Sequence, residues 1–247
     1  MLRSSFKTLS AKAAAQLDQE LMSTGAFSID QLMELAGLSV AQAIYKQYPP
    51  PTASKVSRVL VLVGPGNNGG DGLVAARHLK LWGGYDPVLY YPKRTKNPLY
   101  ANLVTQLQDL DVGEVETLDE VKQLALEEST GLIIDSLFGF SFKPPVREPF
   151  KDLISFLSEN HGKISPIVSV DIPSGWDVDE GPIDLDIKAT MLVSLTAPKP
   201  CAKKFVSYGS DKIHYLGGRF INGKIAAKYD IQDLIAKYKD NDLIVKL

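Results

Sequence analysis

From Val59 to Val63 the chain reads Val-Leu-Val-Leu-Val, apolar at every position. A run that is apolar on both faces marks a strand buried inside a parallel sheet. Glycines end it abruptly: Gly64, Gly66, Gly69, Gly70 and Gly72 fall within nine residues. A period near 3.6 follows in Leu73, Val74, Ala76 and Leu79, which predicts a helix over 72–82. The alternation then repeats. Strands are predicted at 56–63, 87–91, 132–135, 167–171 and 190–196, with an extended piece near Val115 and short strands within 205–221. Helices are predicted at 98–110, 120–128, 146–157 and 230–239. Upstream, residues 11–22 favour helix, and Ser28-Ile29-Asp30-Gln31 is a capping-box pattern that opens a second one. Its face carries Leu32, Leu35, Ala36, Val40, Ala43 and Ile44, and Pro49-Pro50-Pro51 ends it as a short linker. Strands alternating with helices predict a parallel or mostly parallel sheet covered on both faces.

The glycine turn is the first candidate for chemistry. Glycine permits φ > 0 and lets another molecule approach the backbone, and free N–H groups at a helix start suit a phosphate. Gly64, Gly66 and Gly69 stand at G-x-G-x-x-G spacing, and Asp86 falls near the place of a dehydrogenase's ribose-binding acid. Asn67-Asn68 and Gly70-Asp71-Gly72 do not belong to that fingerprint. Their amide and backbone oxygens suit a hard cation equally well.

Composition narrows the classes. The chain has 247 residues, 45% hydrophobic and 23% charged, with a formal net charge of −2. That length holds one large α/β domain or two small ones, and the charge disfavours a nucleic-acid binder working through a basic surface. A single cysteine, Cys201, excludes an intrachain disulfide and a multi-cysteine metal site. No apolar run is long enough to span a membrane. Arg3, Ser4 and Ser5, with no acid before Asp18, have the basic, serine-bearing character with which a mitochondrial transit segment begins. No apolar stretch follows them, so a secretory signal is not expected. The expected location is cytoplasmic, with mitochondrial import as a second destination.

Three predicted strands end in polar, glycine-containing turns: 64–72, Asp135-Ser136-Leu137-Phe138-Gly139-Phe140, and Asp171-Ile172-Pro173-Ser174-Gly175-Trp176. Ligands of open α/β sheets bind outside the carboxyl ends of the strands, so parallel strands would bring these turns to one edge. Asn68, Asp135, Ser174 and backbone carbonyls offer oxygen ligands without the histidines or thiolates that suit zinc. A monovalent cation and Mg²⁺ both fit that donor set. Asp171 is a candidate acid–base residue. Lys93, after the second strand, is a candidate phosphate partner or reacting-ring residue.

These turns, with Tyr91-Pro92-Lys93-Arg94 and Met33-Glu34-Leu35-Ala36-Gly37, resemble the amino-terminal YjeF family, the NAD(P)H-hydrate epimerases. The resemblance runs from about Leu9 to the carboxyl terminus. It implies a Rossmann-like αβα sandwich spanning 1–247 as a single domain, with a helical prefix over 1–50 and the core over 56–247. It implies a homodimer, a K⁺ ion touching Asn68, Asp135 and Ser174, and a separate dehydratase as functional partner. Substrate would lie along Asn67, Asn68, Gly69, Gly70 and Asp71, along Gly139, Phe140, Ser141, Phe142, Lys143, Pro144 and Pro145, and at Asp171. The family interconverts the R and S forms of hydrated NADH and NADPH, which serves repair of the coenzymes.

The reaction fits the residue types. The hydrate carries a hydroxyl at C6 beside the ring nitrogen, so it is a hemiaminal. Inversion follows either from ring opening and reclosure or from loss and readdition of water. Both routes need proton transfer, expected from Asp171 and secondarily from Lys93. Asp171→Asn is expected to slow turnover and to spare folding and binding. Two other functions compete: an NAD(P)-dependent dehydrogenase, which explains only the first turn, and a non-catalytic scaffold of the same fold.

Overall fold

The computed structural model describes residues 6–50 and 56–247. The transit-like features at Arg3, Ser4 and Ser5 lie outside those residues, as does Pro51. The chain begins with helices α1 (Ala11–Met22) and α2 (Ile29–Gln47), followed by β1 (Ser57–Val63), α3 (Asn67–Trp82) and β2 (Tyr85–Tyr90). Next come α4 (Pro98–Gln108), β3 (Gly113–Val115), α5 (Leu118–Leu126), β4 (Thr130–Ser136), α6 (Lys151–Asn160) and β5 (Ile167–Val170). The last elements are β6 (Met191–Leu195), α7 (Cys201–Ser207), β7 (Ile213–Gly217), α8 (Gly223–Lys228), α9 (Gln232–Ile235) and β8 (Ile244–Lys246).

The strands form one sheet in the order β3-β2-β1-β4-β5-β6-β7-β8. All pairings are parallel except the last, where β8 runs antiparallel to β7. Alternate side chains feed two cores. Val59, Val61, Val63, Ile134, Val168 and Val193 pack under α2, α3 and α4. Leu60, Leu62, Ile133, Ile167 and Leu192 pack under α1, α5, α6 and α7. Both faces of the central strands are therefore dry, which is why those segments read as continuous apolar runs. This is the expected three-layer α/β sandwich.

Several boundaries differ from the sequence reading. Helix α3 starts at Asn67, not at residue 72, so most of the glycine turn is itself helical. None of Gly64, Gly66, Gly69, Gly70 and Gly72 has positive φ. Their role is close packing: a Cβ on Gly69 would stand 2.0 Å from the Gly64 carbonyl oxygen, and one on Gly70 would meet Met33 Sδ at 2.4 Å. Gly37 of α2 answers from the other side, where a Cβ would lie 2.4 Å from Val74 Cβ. The Met33–Gly37 stretch is thus the surface on which α3 rests.

Helix α6 begins at Lys151 instead of 146, because a residue before proline is driven from helical geometry and Pro149 follows Glu148. The helix expected over 230–239 shrinks to α9, since Asp230 has φ of 53° and breaks it from α8. Residues 205–221 carry the end of α7 and one strand, β7.

Candidate active site

Strands β1, β4 and β5 are neighbours in the sheet, so their carboxyl ends meet as the three polar turns require. Chain direction reverses its order between β1 and β4, which makes this edge the switch point where α/β sheets bind ligands. A cavity of about 450 Å³ opens there. Its floor is Gly66, Asn67, Asn68 and Asp71 from the start of α3, and Leu137 to Phe142 form one wall. Asp171, Thr196 and Lys199 line it from β5 and β6, while α1 and α2 close it with Asp18, Leu32 and Met33. Gly66 caps α3 without a side-chain hydrogen bond, and a Cβ there would meet nothing within 4 Å. The helix therefore presents its first N–H groups to open space.

Asp171 is the best-held polar group in the cavity. It is 4% exposed and sits in the left-handed region with φ of 68°. That conformation aims the short side chain sideways from the strand end. The amide N–H of Phe140 donates to Oδ2 at 3.0 Å, and the Lys199 ammonium pairs with Oδ1. Lys199 is itself 2% exposed, donates to the Leu195 carbonyl at 2.9 Å, and lies 5.3 Å from the centre of the Phe140 ring. A buried charge pair of this kind persists only when further hydrogen bonds satisfy it.

Two more carboxyls face this pair. Burial raises Asp71 well above the usual carboxylate range, and the neighbouring Asp171 and Asp18 add to it. Burial likewise pushes Asp18 up to about 6, opposed by Lys199 and reinforced by Asp171. Both carboxyls thus hold a proton more tightly than a free carboxyl does.

Asp135 lies deeper. It is fully buried, and its Oδ2 accepts from Ser169 Oγ at 2.7 Å and from the Ser174 amide at 2.9 Å. Ser174 Oγ in turn accepts from the Phe138 amide at 3.0 Å, so this carboxylate ties the second turn to the third. Burial raises the Asp135 carboxyl, and these hydrogen bonds oppose the rise. Among the described residues no cationic side chain pairs with it. Asn68 is also buried, and its Nδ2 has no partner. The Asp135 carboxylate, the Ser174 hydroxyl and the Asn68 amide oxygen are donors of the kind that holds a monovalent cation, whereas the unpartnered Asn68 Nδ2 is itself a hydrogen-bond donor and calls for an acceptor.

The remaining expected residues divide cleanly. Asn67 accepts from Tyr100 at 2.7 Å and lines the cavity. Gly69 and Gly70 are buried in the packing of α3 and do not line it. Gly139, Phe140, Ser141 and Phe142 do line it, and Phe140 to Pro144 also border a second hollow of about 770 Å³ with Lys12 and Asp177. Pro145 borders neither. Lys93 is exposed in the turn after β2 and reaches neither space. Asp86 stands near the amino end of β2, paired with Lys80, at the opposite edge from the cavity. It cannot serve as the ribose-binding acid of a dehydrogenase, which belongs at the carboxyl end. Cys201 is buried, and burial pushes its thiol up to about 12, which disfavours the thiolate.

Sequence reading missed Lys199 and Asp18. Lys199 follows the apolar strand β6, where the strand-end reasoning used for Asp135 and Asp171 would have reached it. Asp18 interrupts the buried stripe Ala14, Leu17, Leu21 of α1, a lone acid beside an apolar face.

A switch-point cavity lined by a buried aspartate–lysine pair and helix-start amides, on a mostly parallel sheet covered on both faces, defines a Rossmann-like protein. The family model described as "YjeF-related protein N-terminus" matches residues 29–201, and the chain belongs to that family. It is 67% identical to an NAD(P)H-hydrate epimerase of Candida albicans (strain SC5314 / ATCC MYA-2876), covering 98% of both chains. An NAD(P)H-hydrate epimerase of Schizosaccharomyces pombe is 49% identical, with 98% of this chain and 96% of that one covered. The crystal structure of yeast ynu0 superposes with a TM-score of 0.89 at 48% identity, over 98% of this chain and 100% of that chain.

Proposed function

We propose that this chain is an NAD(P)H-hydrate epimerase, interconverting the R and S forms of hydrated NADH and NADPH at C6 of the nicotinamide ring. The near-full-length identity to proteins of that name supports the reading. The observation that carries it is the buried Asp171–Lys199 pair facing the switch-point cavity. Epimerisation of a hemiaminal needs proton acceptance and donation without redox change, and this pair supplies both. Asp171, held by Phe140 N–H and Lys199, takes a proton from the substrate; the N–H groups of Asn67 and Asn68 orient its phosphates. Met33, Leu137 and Phe140 exclude bulk water from the reacting ring. The rest of the dinucleotide runs along Ser141 to Pro144 toward the second hollow, where Lys143 meets a phosphate.

K⁺ is the cation that suits Asn68, Asp135 and Ser174, and when bound it supplies fixed positive charge near the phosphates and the three turns. Asp135 and Ser174 hold the Phe138 backbone, and through it the wall that carries Phe140. The chain acts as a homodimer, in the cytoplasm and mitochondria, and its product passes to a separate stereospecific dehydratase. No helix among the described residues is long and apolar enough to cross a membrane.

The test is chromatographic separation of the two epimers before and after incubation of one purified epimer with the protein. Conversion to the equilibrium mixture, faster than without protein, is expected. An unchanged epimer would overturn the reading in favour of a scaffold. Reduction of NAD(P)⁺ by a candidate alcohol would overturn it in favour of a dehydrogenase.

A further inference from the structure

The Lys199 ammonium has three N–H donors. Asp171 and the Leu195 carbonyl take two of them, at a residue that lines the cavity. The third has no protein acceptor among the described residues. Asp171 has spare acceptor capacity on Oδ2, where only the Phe140 amide donates. Base and acid therefore touch one another and face the same space. Among the described residues lining that space, Lys199 is the single basic side chain. We propose that Lys199 and Asp171 act as one bifunctional pair that epimerises the hydrate by opening and reclosing its ring, not by losing and regaining water.

The inference rests on the epimerase reading and selects its route. In a hemiaminal the hydroxyl oxygen and the ring nitrogen share one carbon, C6. A contacting acid–base pair spans such neighbouring atoms. Asp171 accepts the hydroxyl proton, and that O–H electron pair becomes the second bond of a C6 carbonyl. The C6–N1 bond breaks, its electron pair stays on N1, and N1 takes a proton from Lys199. The resulting carboxylic acid and amine keep their places while the aldehyde turns. After rotation about C5–C6 the nitrogen attacks the other carbonyl face; the N1 proton returns to the Lys199 amine and the Asp171 proton to the C6 oxygen, which restores the ion pair. Nothing is oxidised or reduced, and no water enters.

The dehydration route needs an acid at the departing oxygen and a base to activate water on the opposite ring face. Asp18 and Asp71 are the other carboxyls lining the cavity, and neither is paired with a cationic side chain as Asp171 is with Lys199. The contacting pair holds both of its groups at one place, which serves neighbouring atoms and not opposite ring faces.

Wild-type protein and one purified epimer incubated in H₂¹⁸O decide the route. Every dehydration cycle replaces the C6 oxygen, whereas ring opening carries it through. The expected result is inversion with far less than one ¹⁸O atom incorporated per event, above a protein-free control. One ¹⁸O per inversion would overturn the inference and leave the epimerase reading standing; no inversion at all would overturn that reading itself. Lys199→Ala should lower turnover by roughly 10²–10⁴. Ethylammonium, which can give a proton, should restore part of it, and tetramethylammonium should not. Equal rescue by both would show that charge alone suffices, and near-wild-type turnover of Lys199→Met would remove the lysine; either result overturns the pair.

Discussion

Asp171→Asn separates the chemistry of this site from its architecture. The aspartate offers two acceptor oxygens, one to the Lys199 ammonium and one to the Phe140 amide at 3.0 Å. Asparagine offers one oxygen and one NH₂ group. With its oxygen toward Lys199, the NH₂ abuts the Phe140 N–H; turned over, the NH₂ abuts the ammonium. Either way two donors face each other where the side chain is buried. One buried donor left unsatisfied costs about 1–3 kcal/mol, and a lost bond to a charged group about 1.5–3 kcal/mol. Backbone strain adds nothing, because asparagine tolerates the φ of 68°. The expected destabilisation is about 2.5–6 kcal/mol, or roughly 5–24 °C in the thermal midpoint for a chain of this size. This reverses the expectation from sequence alone that folding would be spared. Turnover should fall by roughly 10²–10⁴. Urea unfolding and the epimer conversion rate, measured on the same preparation, provide the check. A variant within about 0.5 kcal/mol of wild type, the scale of an ordinary surface substitution, would refute the donor–donor argument. A variant that epimerises at nearly the wild-type rate would remove Asp171 from the chemistry.

If K⁺ joins Asn68, Asp135 and Ser174, exchanging it for choline should lower the wild-type thermal midpoint, and Asp135→Ala should abolish that response; a midpoint indifferent to K⁺ argues against the site, and ligand distances near 2.0–2.1 Å would indicate Mg²⁺. Gly69→Ala drives a Cβ to within 2.0 Å of the Gly64 carbonyl oxygen, backbone against backbone, and should cost about 3 kcal/mol or more in urea unfolding; a wild-type midpoint would show that α3 can shift freely. Asp18, raised to about 6 from 3.8, binds its proton more tightly in the fold, so its contribution to stability is present at pH 4 and lost as pH rises through 6. The shift corresponds to roughly 3 kcal/mol, reduced to about 2 by solvent reaching the helix. Asp18→Asn should therefore be more stable than wild type by about 2 kcal/mol at pH 8 and nearly equal at pH 4; equal midpoints at pH 8 would refute the half-buried placement.

Much of this protein is legible in its sequence because its signals are local. Strands buried on both faces must be apolar at consecutive positions, so β1, β4, β5 and β6 announce themselves. A parallel sheet then forces their carboxyl ends to one edge, which places Asp135 and Asp171 together without knowledge of any side-chain contact. Boundaries were harder where one residue overrides periodicity, as Pro149 does before α6 and Asp230 does between α8 and α9.

The tertiary structure decided what depends on distant neighbours. The glycines of α3 could be read as φ-permissive or as packing residues, and only the positions of the Gly64 carbonyl and Met33 choose packing. Lys93 and Lys199 are both lysines after strands, equal in sequence. One strand lies next to the outermost strand of the sheet and leaves its lysine in solvent, while β6 lies inside and aims Lys199 at Asp171. Asp18 gains its raised protonation only because α1 folds back over an edge more than a hundred residues away in the chain. Periodicity reports which residues leave water; the partners they meet, and hence the charge they carry, are set by elements that the local pattern does not contain.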